Sequence, residues 1–313
     1  MPLLINYDSP KELRALLDER GIGMRKKYGQ NFLIDRNARL RLIDSLEIES
    51  GYRVWEIGPG LGAMTGEILS RCAQLCAFEI DTAFSAILRE LYGANPAFTL
   101  VEGDVFKTWP IKDSSTGHEE DLYLLGNLPY NIAASLLADF VEKGRFFKRM
   151  VITVQKEVAQ RIYAKSGSPN YSSFSVLCSS VYKVRPLFDI KGSCFFPQPR
   201  VDSQGIRLDL IQPPKALPPL FYPMVRSLFS ARRKTLKNTL SAFTSSVIMK
   251  ADVFLGEIEP PEKMIRNAAL AGDIAVEVLH RAGISGNSRA ETLNNDEFAA
   301  LASILEEIVC NAA

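Results

Sequence analysis

The residues best suited to chemistry lie in one short run, Gly126-Asn127-Leu128-Pro129-Tyr130, which directly follows an apolar stretch. The amino group of adenine is a poor nucleophile because its lone pair is delocalised into the ring. The side-chain oxygen of Asn127 and the carbonyl oxygen of Leu128 could accept hydrogen bonds from it and aim the lone pair at an electrophilic carbon. Pro129 stiffens the run, and Tyr130 offers a face for stacking. We predict that Asn127, Leu128 and Tyr130 are catalytic in amino methylation, of adenine in RNA or DNA or of a glutamine amide.

A glycine-rich run, Glu56-Ile-Gly58-Pro-Gly60-Leu-Gly62-Ala63, indicates the cofactor site for such a transfer. Glycines between a strand and a helix let the backbone turn sharply and let a ligand approach it closely. Gly58, Gly60 and Ala63 also satisfy the G-x-G-x-x-G/A form of a dinucleotide site. The run alone therefore leaves both kinds of cofactor open.

Acidic residues near this run favour S-adenosylmethionine over a dinucleotide. Glu56 would repel a pyrophosphate but suits a cationic sulfonium. Glu79 can hold a ribose, and Asp104 can accept a hydrogen bond from an adenine amino group. Because ligands bind outside the carboxyl ends of parallel strands, we expect Glu56, Glu79, Asp104 and Asn127 to converge. A sulfonium methyl donor is already activated, so positioning suffices without a strong base, and the chain has only two histidines.

The elements that must position these residues follow an alternating pattern of strands and helices. Short apolar runs predict five strands, at 54–57, 75–78, 98–101, 122–125 and 150–154. Helical spacing of apolar residues between them predicts an α/β fold, a Rossmann-like methyltransferase sheet with helices on both faces. The stretch 172–210 holds further strand-like runs and predicts a closing hairpin at the sheet edge.

Four prolines within 211–219 predict a linker. The sequence beyond it has helical patterns to its end, with an amphipathic stretch at 221–240 and a last helix at 296–309. We therefore predict a methyltransferase domain over 1–212 and a small all-α domain that binds RNA over 213–313.

Composition excludes several other classes of protein. The 313 residues are 47% hydrophobic with a net charge of +1, so RNA binding would have to come from local clusters of charge. No apolar run approaches the roughly 20 residues of a membrane span. We expect a cytoplasmic protein without membrane contact. Five irregularly spaced cysteines indicate reduced thiols, and neither a disulfide framework nor a metal site is expected.

Three clusters of basic residues are candidates for phosphate contacts. The first lies between 226 and 240, where apolar residues would bury one face of a helix and present the cations together. A solvated helix face is the alternative for each cluster. The clusters are Arg226, Arg232, Arg233, Lys234 and Lys237; Arg20, Arg25, Lys26 and Lys27; and Lys143, Arg145, Lys148 and Arg149.

Five motifs occur along the chain in a fixed order. They are Lys27-Tyr-Gly-Gln-Asn-Phe-Leu33, Glu56-Ile-Gly-Pro-Gly-Leu-Gly62, Asn127-Leu-Pro-Tyr-Asn131, Gln155-Lys-Glu-Val158 and Arg232-Arg-Lys-Thr-Leu236. Together they resemble those of the ribosomal RNA adenine dimethyltransferases of the KsgA type. The resemblance covers about residues 8–240, with a weaker similarity at Arg289-Ala-Glu-Thr-Leu293, and the region 250–288 looks longer than is usual.

This resemblance implies dimethylation of N6 on two adjacent adenosines, in a hairpin near the 3′ end of small-subunit ribosomal RNA. The implied partner is an immature small subunit, the cofactor is S-adenosylmethionine, and we expect a monomer. By matching position, the cofactor site would consist of Asn31, Leu33, Gly58, Glu79, Asp104 and Asn127. Phe195 would wall the base pocket, and Arg232, Arg233 and Lys234 would contact RNA.

Two alternatives remain at the level of sequence. A related enzyme could act on large-subunit RNA, as resistance methyltransferases do, but these usually carry Ile where Leu128 stands. A ribosome-assembly or RNA-binding factor could keep the fold without turnover. The intact run Asn127-Leu-Pro-Tyr130 and the intact glycine run argue against that second alternative.

Overall fold

The structure, a computed structural model, describes residues 3–24, 29–116, 122–128, 132–211, 217–254 and 261–311. The chain divides into two units. The first comprises Met1–Tyr163 with Val181–Ile211, and the second comprises Ala164–Ser180 with Gln212–Ala313. The sequence division at residue 212 did not anticipate that 164–180 belongs with the second unit.

Strands of the first unit form one large sheet and one short pair. They are β1 (Phe32–Leu33), β2 (Arg53–Ile57), β3 (Gln74–Glu79), β4 (Phe98–Glu102), β5 (Leu122–Asn127), β6 (Arg149–Gln155), β7 (Tyr182–Ile190), β8 (Phe195–Phe196) and β9 (Ser203–Leu210). The large sheet has the order β4-β3-β2-β5-β6-β9-β7. Its first five strands are parallel, and β9 and β7 close it in antiparallel fashion. The order reverses between β2 and β5, which is the switch point where such sheets bind ligands.

Helices precede, connect and follow the parallel strands of this unit. They are α1 (Pro10–Glu19), α2 (Arg36–Leu46), α3 (Thr65–Leu69), α4 (Thr82–Tyr92), α5 (Val105–Thr116), α6 (Ala133–Glu142) and α7 (Lys156–Ile162). Short polar side chains fix where three of them begin. Ser9, Asp35 and Asp81 accept backbone N–H bonds at the starts of α1, α2 and α4.

Side chains that alternate along β2 pack on opposite faces of the sheet. Val54 is buried in a cluster with Leu42 and Ile43 of α2 and Ile68 of α3. Trp55 lies on the other face, where its ring contacts Phe78, Phe140 and Phe147 at centroid distances of 4.9–6.5 Å. The sheet is therefore covered on both faces, as predicted.

The second unit contains the remaining helices, of which the first begins inside the stretch 164–180. They are α8 (Ser173–Val181), α9 (Phe221–Ser230), α10 (Leu236–Phe254), α11 (Pro261–Arg281) and α12 (Asn295–Asn311). A buried apolar cluster that includes Val176, Leu228, Leu240, Val278 and Leu301 holds this unit together. Each such fully buried side chain contributes about 1.5–3 kcal/mol.

The structure refines two predictions about local structure. The predicted closure at the sheet edge is formed by β7 and β9, but Ser173–Val181, within the stretch 172–210, is a helix. The amphipathic stretch 221–240 contains two helices, because a turn at 231–235 separates α9 from α10. Buried apolar residues dominate both segments, and periodicity over so few residues does not distinguish a strand from a buried helix.

No helix among the described residues is long and apolar enough to cross a membrane.

Candidate functional site

A cavity of about 330 Å³ lies at the carboxyl ends of β2, β3, β4 and β5. This volume is within the range of small-molecule sites, about 300–1,000 Å³. Four segments that follow these strands line it, together with the segment 29–33. The lining residues are Gly29, Gln30, Asn31, Phe32, Leu33, Ile57, Gly58, Pro59, Gly60, Ala63, Met64, Phe78, Glu79, Ile80, Phe84, Gly103, Asp104, Val105, Phe106, Asn127, Leu128 and Ile132.

The loop after β2, residues 58–62, adopts a conformation that favours glycine. Gly58, Gly60 and Gly62 have φ values of +68°, +58° and +86°, a region that L side chains rarely occupy. A Cβ atom at Gly60 would lie 3.0 Å from the Phe32 ring. The glycines therefore let the loop turn sharply, and the absence of a side chain at Gly60 makes room for the Phe32 ring at the cavity wall.

Glu79 joins this loop to β3. One of its carboxylate oxygens accepts the N–H of Gly60 at 3.0 Å, and the other accepts the N–H of Asp81 at 2.8 Å. Burial raises the pKa of Glu79 to about 7, although these backbone bonds favour the charged form. Glu79 thus presents a fixed, partly charged carboxyl group to the cavity.

Asp104 occupies the corresponding position after β4. Its Oδ1 accepts the backbone N–H of Phe106 at 3.1 Å, and its carbonyl oxygen accepts the N–H groups of Lys107 and Thr108. These bonds fix the carboxylate at the start of α5, where it lines the cavity with Val105 and Phe106.

Asn127, the last residue of β5, is oriented by the segment 29–33. Its Nδ2 donates to the carbonyl oxygen of Asn31 at 2.9 Å. An amide whose NH2 group is engaged in this way keeps its oxygen as an acceptor. The contact therefore sets Asn127 up to accept a hydrogen bond from a substrate amino group.

Leu128 lines the cavity beside Asn127, and its position depends on Gly126. The Leu128 side chain is buried, and its N–H donates to the Thr153 carbonyl oxygen on β6 at 3.2 Å. A Cβ at Gly126 would come within 2.7 Å of the Leu128 side chain. Gly126 is thus a packing requirement of this site that the sequence analysis did not identify.

The segment 29–33 is fastened to both the sheet and the helices. Gln30 Nε2 donates to Asp81 at 3.0 Å, and the Leu33 carbonyl oxygen accepts a bond from the buried Arg39 at 2.8 Å. β1 within this segment pairs with β8, with Leu33 opposite Phe195. Asn31 and Leu33, whose site role only the resemblance implied, therefore lie at the cavity with Gly58, Glu79, Asp104 and Asn127.

Glu56 does not converge on the cavity, contrary to the argument from sequence. It is 1% exposed and accepts a bond from Thr65 Oγ1 at 2.7 Å. Burial raises its pKa to about 8. It pairs with Ala77 within the sheet, below the strand ends, so a mostly neutral Glu56 bonds to Thr65 of α3 and does not line the cavity.

Phe195 is also absent from the described cavity lining. Its ring is 3% exposed and belongs to the buried cluster with Leu33, Leu42 and Ile190. Pairing of β8 with β1 places it opposite Leu33, which lines the cavity, while Phe195 itself belongs to the buried cluster. Tyr130 lies outside the described residues, as do Pro129 and Asn131.

Apolar residues of the cavity wall were missed by the sequence analysis. Ile80 and Phe106 follow Glu79 and Asp104 in the chain, and Phe32 belongs to the segment 29–33. The sequence did contain a signal for them, because each of these apolar residues lies within two positions of a predicted cofactor-binding residue. Such walls suit the two faces of a flat ring.

The first basic cluster lies in the second unit and is only partly available to a ligand. Arg232 pairs with Glu291 at 3.0 Å and also donates to the Pro169 carbonyl oxygen at 3.3 Å. Arg233 and Lys234 are exposed on the same turn. Leu228 and Leu236, on either side of the turn, are buried as predicted.

The other two clusters are largely committed to contacts within the fold. Arg20 pairs with Glu90 at 2.8 Å, while residues 25–27 of the second cluster lie outside the described part of the chain. In the third cluster, Lys143, Arg145 and Arg149 each pair with an aspartate, at 2.8, 2.9 and 2.5 Å. Within the described residues, these contacts favour structural roles over phosphate binding.

Comparison with known sequences places these features in a family. The sequence model of the family described as ribosomal RNA adenine dimethylase matches residues 22–270. A ribosomal RNA small subunit methyltransferase A from Treponema denticola is 43% identical over 307 residues, which cover 96% of each chain. A protein of the same name from Borreliella afzelii is 42% identical over 257 residues, covering 81% of this chain and 88% of that one.

Comparison with solved structures supports the fold. A dimethyladenosine transferase from Plasmodium falciparum matches with a TM-score of 0.66 at 24% identity, over 85% of this chain and 94% of that one. The 23S rRNA methyltransferase ErmE matches with a TM-score of 0.58 at 20% identity, over 88% and 99%. Both chains share the Rossmann-like architecture of the first unit.

Proposed function

The chain belongs to the ribosomal RNA adenine dimethylase family, and we propose that it transfers methyl groups from S-adenosylmethionine to N6 of two adjacent adenosines in small-subunit ribosomal RNA. The target is a hairpin near the 3′ end of that RNA, presented by an immature small subunit. The observation that carries this proposal is that Asn127, Leu128, Glu79 and Asp104 line one cavity.

The residues around the cavity fit S-adenosylmethionine chemically. Glu79 can accept from ribose hydroxyls through lone pairs that its two backbone bonds leave available. Asp104 can accept from the adenine amino group, and Ile80 and Phe106 offer apolar walls to the base. The positive φ of Gly58 and Gly60 keeps backbone, without side chains, facing the ligand.

When bound, the cofactor supplies a methyl group already activated on a sulfonium. Asn127 accepts a hydrogen bond from the target N6 amino group, with its own NH2 held by Asn31. That bond draws the nitrogen toward a tetrahedral geometry and directs its lone pair. No strong base is needed, because N6 becomes more acidic as it gains the methyl group and releases its proton to solvent. Positioning and electrostatics therefore supply most of the acceleration.

The small-subunit target is favoured over the large-subunit alternative by two observations. The relatives at 42–43% identity are named small subunit methyltransferase A, whereas ErmE, at 20% identity, supports the fold alone. The chain also carries Leu128 in its catalytic run, where the resistance-type enzymes usually have Ile. A factor without turnover would have no need for Asn127 to be oriented at a cavity.

The test is methyl transfer from labelled S-adenosylmethionine to immature small subunits that lack the modification. We expect dimethyladenosine in the digested RNA from the wild-type protein. Asn127→Ala should lower the rate by about 100-fold or more, the cost of removing one preorganised catalytic hydrogen bond, while RNA affinity is unchanged. Asn37→Ala, an exposed position on α2, is the matched control and should keep the wild-type rate.

Two outcomes would contradict this assignment. Absence of dimethyladenosine with the wild-type protein and small subunits would reject the reaction, and methylation of large-subunit RNA instead would support the other enzyme class. Wild-type turnover by Asn127→Ala would leave the reaction intact but reject the role of Asn127.

A further inference from the structure

The N-terminal segment, residues 3–9, lies before the region that the family model matches, which begins at residue 22. Two consecutive residues of this segment, Tyr7 and Asp8, make polar contacts that lead to two segments at the cavity, the glycine loop and the segment 29–33. Neither of them lines the cavity among the described residues. Their contacts therefore support segments of the cavity wall without facing the cavity itself.

Tyr7 contacts the glycine loop. Its hydroxyl donates to the carbonyl oxygen of Leu61 at 2.9 Å, and the hydroxyl of Tyr92 on α4 donates to the next carbonyl, that of Gly62, at 3.3 Å. Burial raises the pKa of both phenols, so they remain donors throughout the working pH range. The loop is thus held by two phenols on its outer side and by Glu79, through Gly60, on its cavity side.

Asp8 reaches the segment 29–33 through Arg39. The Arg39 guanidinium is 7% exposed; it pairs with Asp8 and donates to the Leu33 carbonyl oxygen at 2.8 Å. Leu33 belongs to the cavity-lining segment 29–33. A buried guanidinium that loses its acidic partner is strongly destabilised, so Asp8 helps to fix the position of this wall.

Apolar packing anchors the N-terminal region in the same place. Leu13 and Leu17 of α1 are buried in one cluster with Leu61 of the glycine loop and with Phe84 and Ile87 of α4. The ring of Tyr7 and the side chains of Leu3 and Ile5 pack against this cluster. The polar contacts of Tyr7 and Asp8 are therefore held in register by a core that includes the glycine loop itself.

We propose that Tyr7 and Asp8 are positioning residues for the cofactor, which brace the glycine loop and the segment 29–33 before the ligand binds. This inference rests on the proposed function, in which the cavity binds S-adenosylmethionine. Ordering a loop during binding costs affinity, and a brace that orders it beforehand removes that cost. The brace sets cofactor affinity and leaves the chemical step and RNA affinity unchanged.

The test measures the Kd for labelled S-adenosylmethionine by equilibrium dialysis, with the full chain, together with the thermal midpoint of each variant. Tyr7→Phe removes one hydrogen bond and should raise the Kd about fivefold. Asp8→Ala should raise it at least as much. RNA affinity and kcat at saturating cofactor should match the wild type.

Two controls separate positioning from general stability. Tyr171→Phe removes the same kind of hydrogen bond in the second unit, where the buried Tyr171 hydroxyl donates to the Leu293 carbonyl oxygen at 2.9 Å. It should lower the thermal midpoint without changing the Kd. Asp18→Ala removes an exposed acid of α1 and should change neither quantity.

A Kd for Tyr7→Phe and Asp8→Ala equal to the wild-type value, with midpoints lowered as in Tyr171→Phe, would overturn the proposal. If the variants keep the wild-type Kd and the wild-type protein binds S-adenosylmethionine normally, the proposed function is retained and only this inference is rejected. Failure of the wild-type protein to bind S-adenosylmethionine would reject the proposed function, and this inference with it.

Discussion

Glu56 and Glu79 lie on neighbouring strands, and the position of each along its strand decides its role. Glu79 ends β3 and accepts two backbone N–H groups at the cavity. Glu56 lies one residue before the end of β2, is fully buried, and has one bonded oxygen, while its Oε1 has no hydrogen-bond partner among the described residues. Such a group is tolerated because it is mostly protonated, which lessens the cost of burial.

This difference predicts how stability depends on pH. Burial raises the pKa of Glu56 from 4.5 to about 8 and that of Glu79 from 4.5 to about 7. Between the ordinary pKa of 4.5 and these raised values, the folded state binds more protons than the unfolded state. The free energy of unfolding therefore falls as pH rises from about 4.5 to 8. Glu56→Gln, which cannot ionise, should lose less stability across this window, by on the order of a few kcal/mol.

Urea unfolding at pH 5 and pH 8 measures this difference. Glu19→Gln, at an exposed position of α1, is the control and should follow the wild-type dependence. If the wild type and Glu56→Gln lose equal stability between the two pH values, Glu56 does not carry the linked proton.

The positions of the predicted strand ends were sufficient to place Glu79, Asp104 and Asn127 at the cavity, because residues at the carboxyl ends of parallel strands meet at one edge of the sheet. They were not sufficient for Glu56, which pairs with Ala77, two residues before Glu79, and therefore lies within the sheet and not at its edge. The direction of the Phe195 side chain depends on the pairing of β8 with β1, which no local pattern reveals.

At the scale of elements, the glycine loop is held from two sides and depends on backbone conformation. Gly60 has φ +58°, and a Cβ there would approach the Phe32 ring at 3.0 Å. Phe32 belongs to the segment 29–33, so a displaced ring would disturb a second wall of the cavity. The loop and this segment therefore behave as one structural unit.

Gly60→Ala should therefore weaken cofactor binding and lower stability, by roughly 1–2 kcal/mol for the left-handed backbone alone. Gly51→Ala is a matched control, because a Cβ at Gly51 meets nothing within 4 Å. That variant should be neutral or stabilised by about 0.4–1 kcal/mol. Calorimetric melting with and without S-adenosylmethionine measures both effects, and equal behaviour of the two variants would refute the role of the Gly60 backbone.

Elements with strong, long patterns were predicted well, and the exceptions have physical causes. The five parallel strands are short apolar runs separated by helical periodicity, and all five are confirmed. The turn at 231–235 interrupts an otherwise amphipathic stretch because tertiary contacts outweigh helix propensity there. The N–H groups of Leu236 and Lys237 donate to the carbonyl oxygens of Ser288 and Gly286, which fixes the start of α10.

At the scale of the whole molecule, 37 basic and 36 acidic residues nearly cancel. Attraction to a polyanion must then arise where cations lack acidic partners. In the described parts of the first unit, most members of the predicted clusters are paired, as with Arg149 and Asp209. The exposed turn of the second unit, with Arg233 and Lys234, is the better candidate for contact with RNA.

The salt dependence of RNA binding tests this assignment. Each phosphate contact contributes about 0.7–0.9 to the slope of log K against log salt concentration. Arg233→Ala with Lys234→Ala should therefore reduce the slope by about 1.4–1.8. Arg232→Ala should reduce it less, because Glu291 at 3.0 Å already offsets its charge.

Arg281→Ala is the control for loss of charge alone, since Arg281 is paired with Glu307 at 2.6 Å on the same unit. It should leave the slope unchanged when binding of the target hairpin is followed by fluorescence anisotropy at several salt concentrations. If Arg281→Ala and the double variant reduce the slope equally, the attraction comes from overall charge and not from this turn. If Arg232→Ala alone reproduces the full loss, RNA displaces Glu291, and Arg232 contacts phosphate directly.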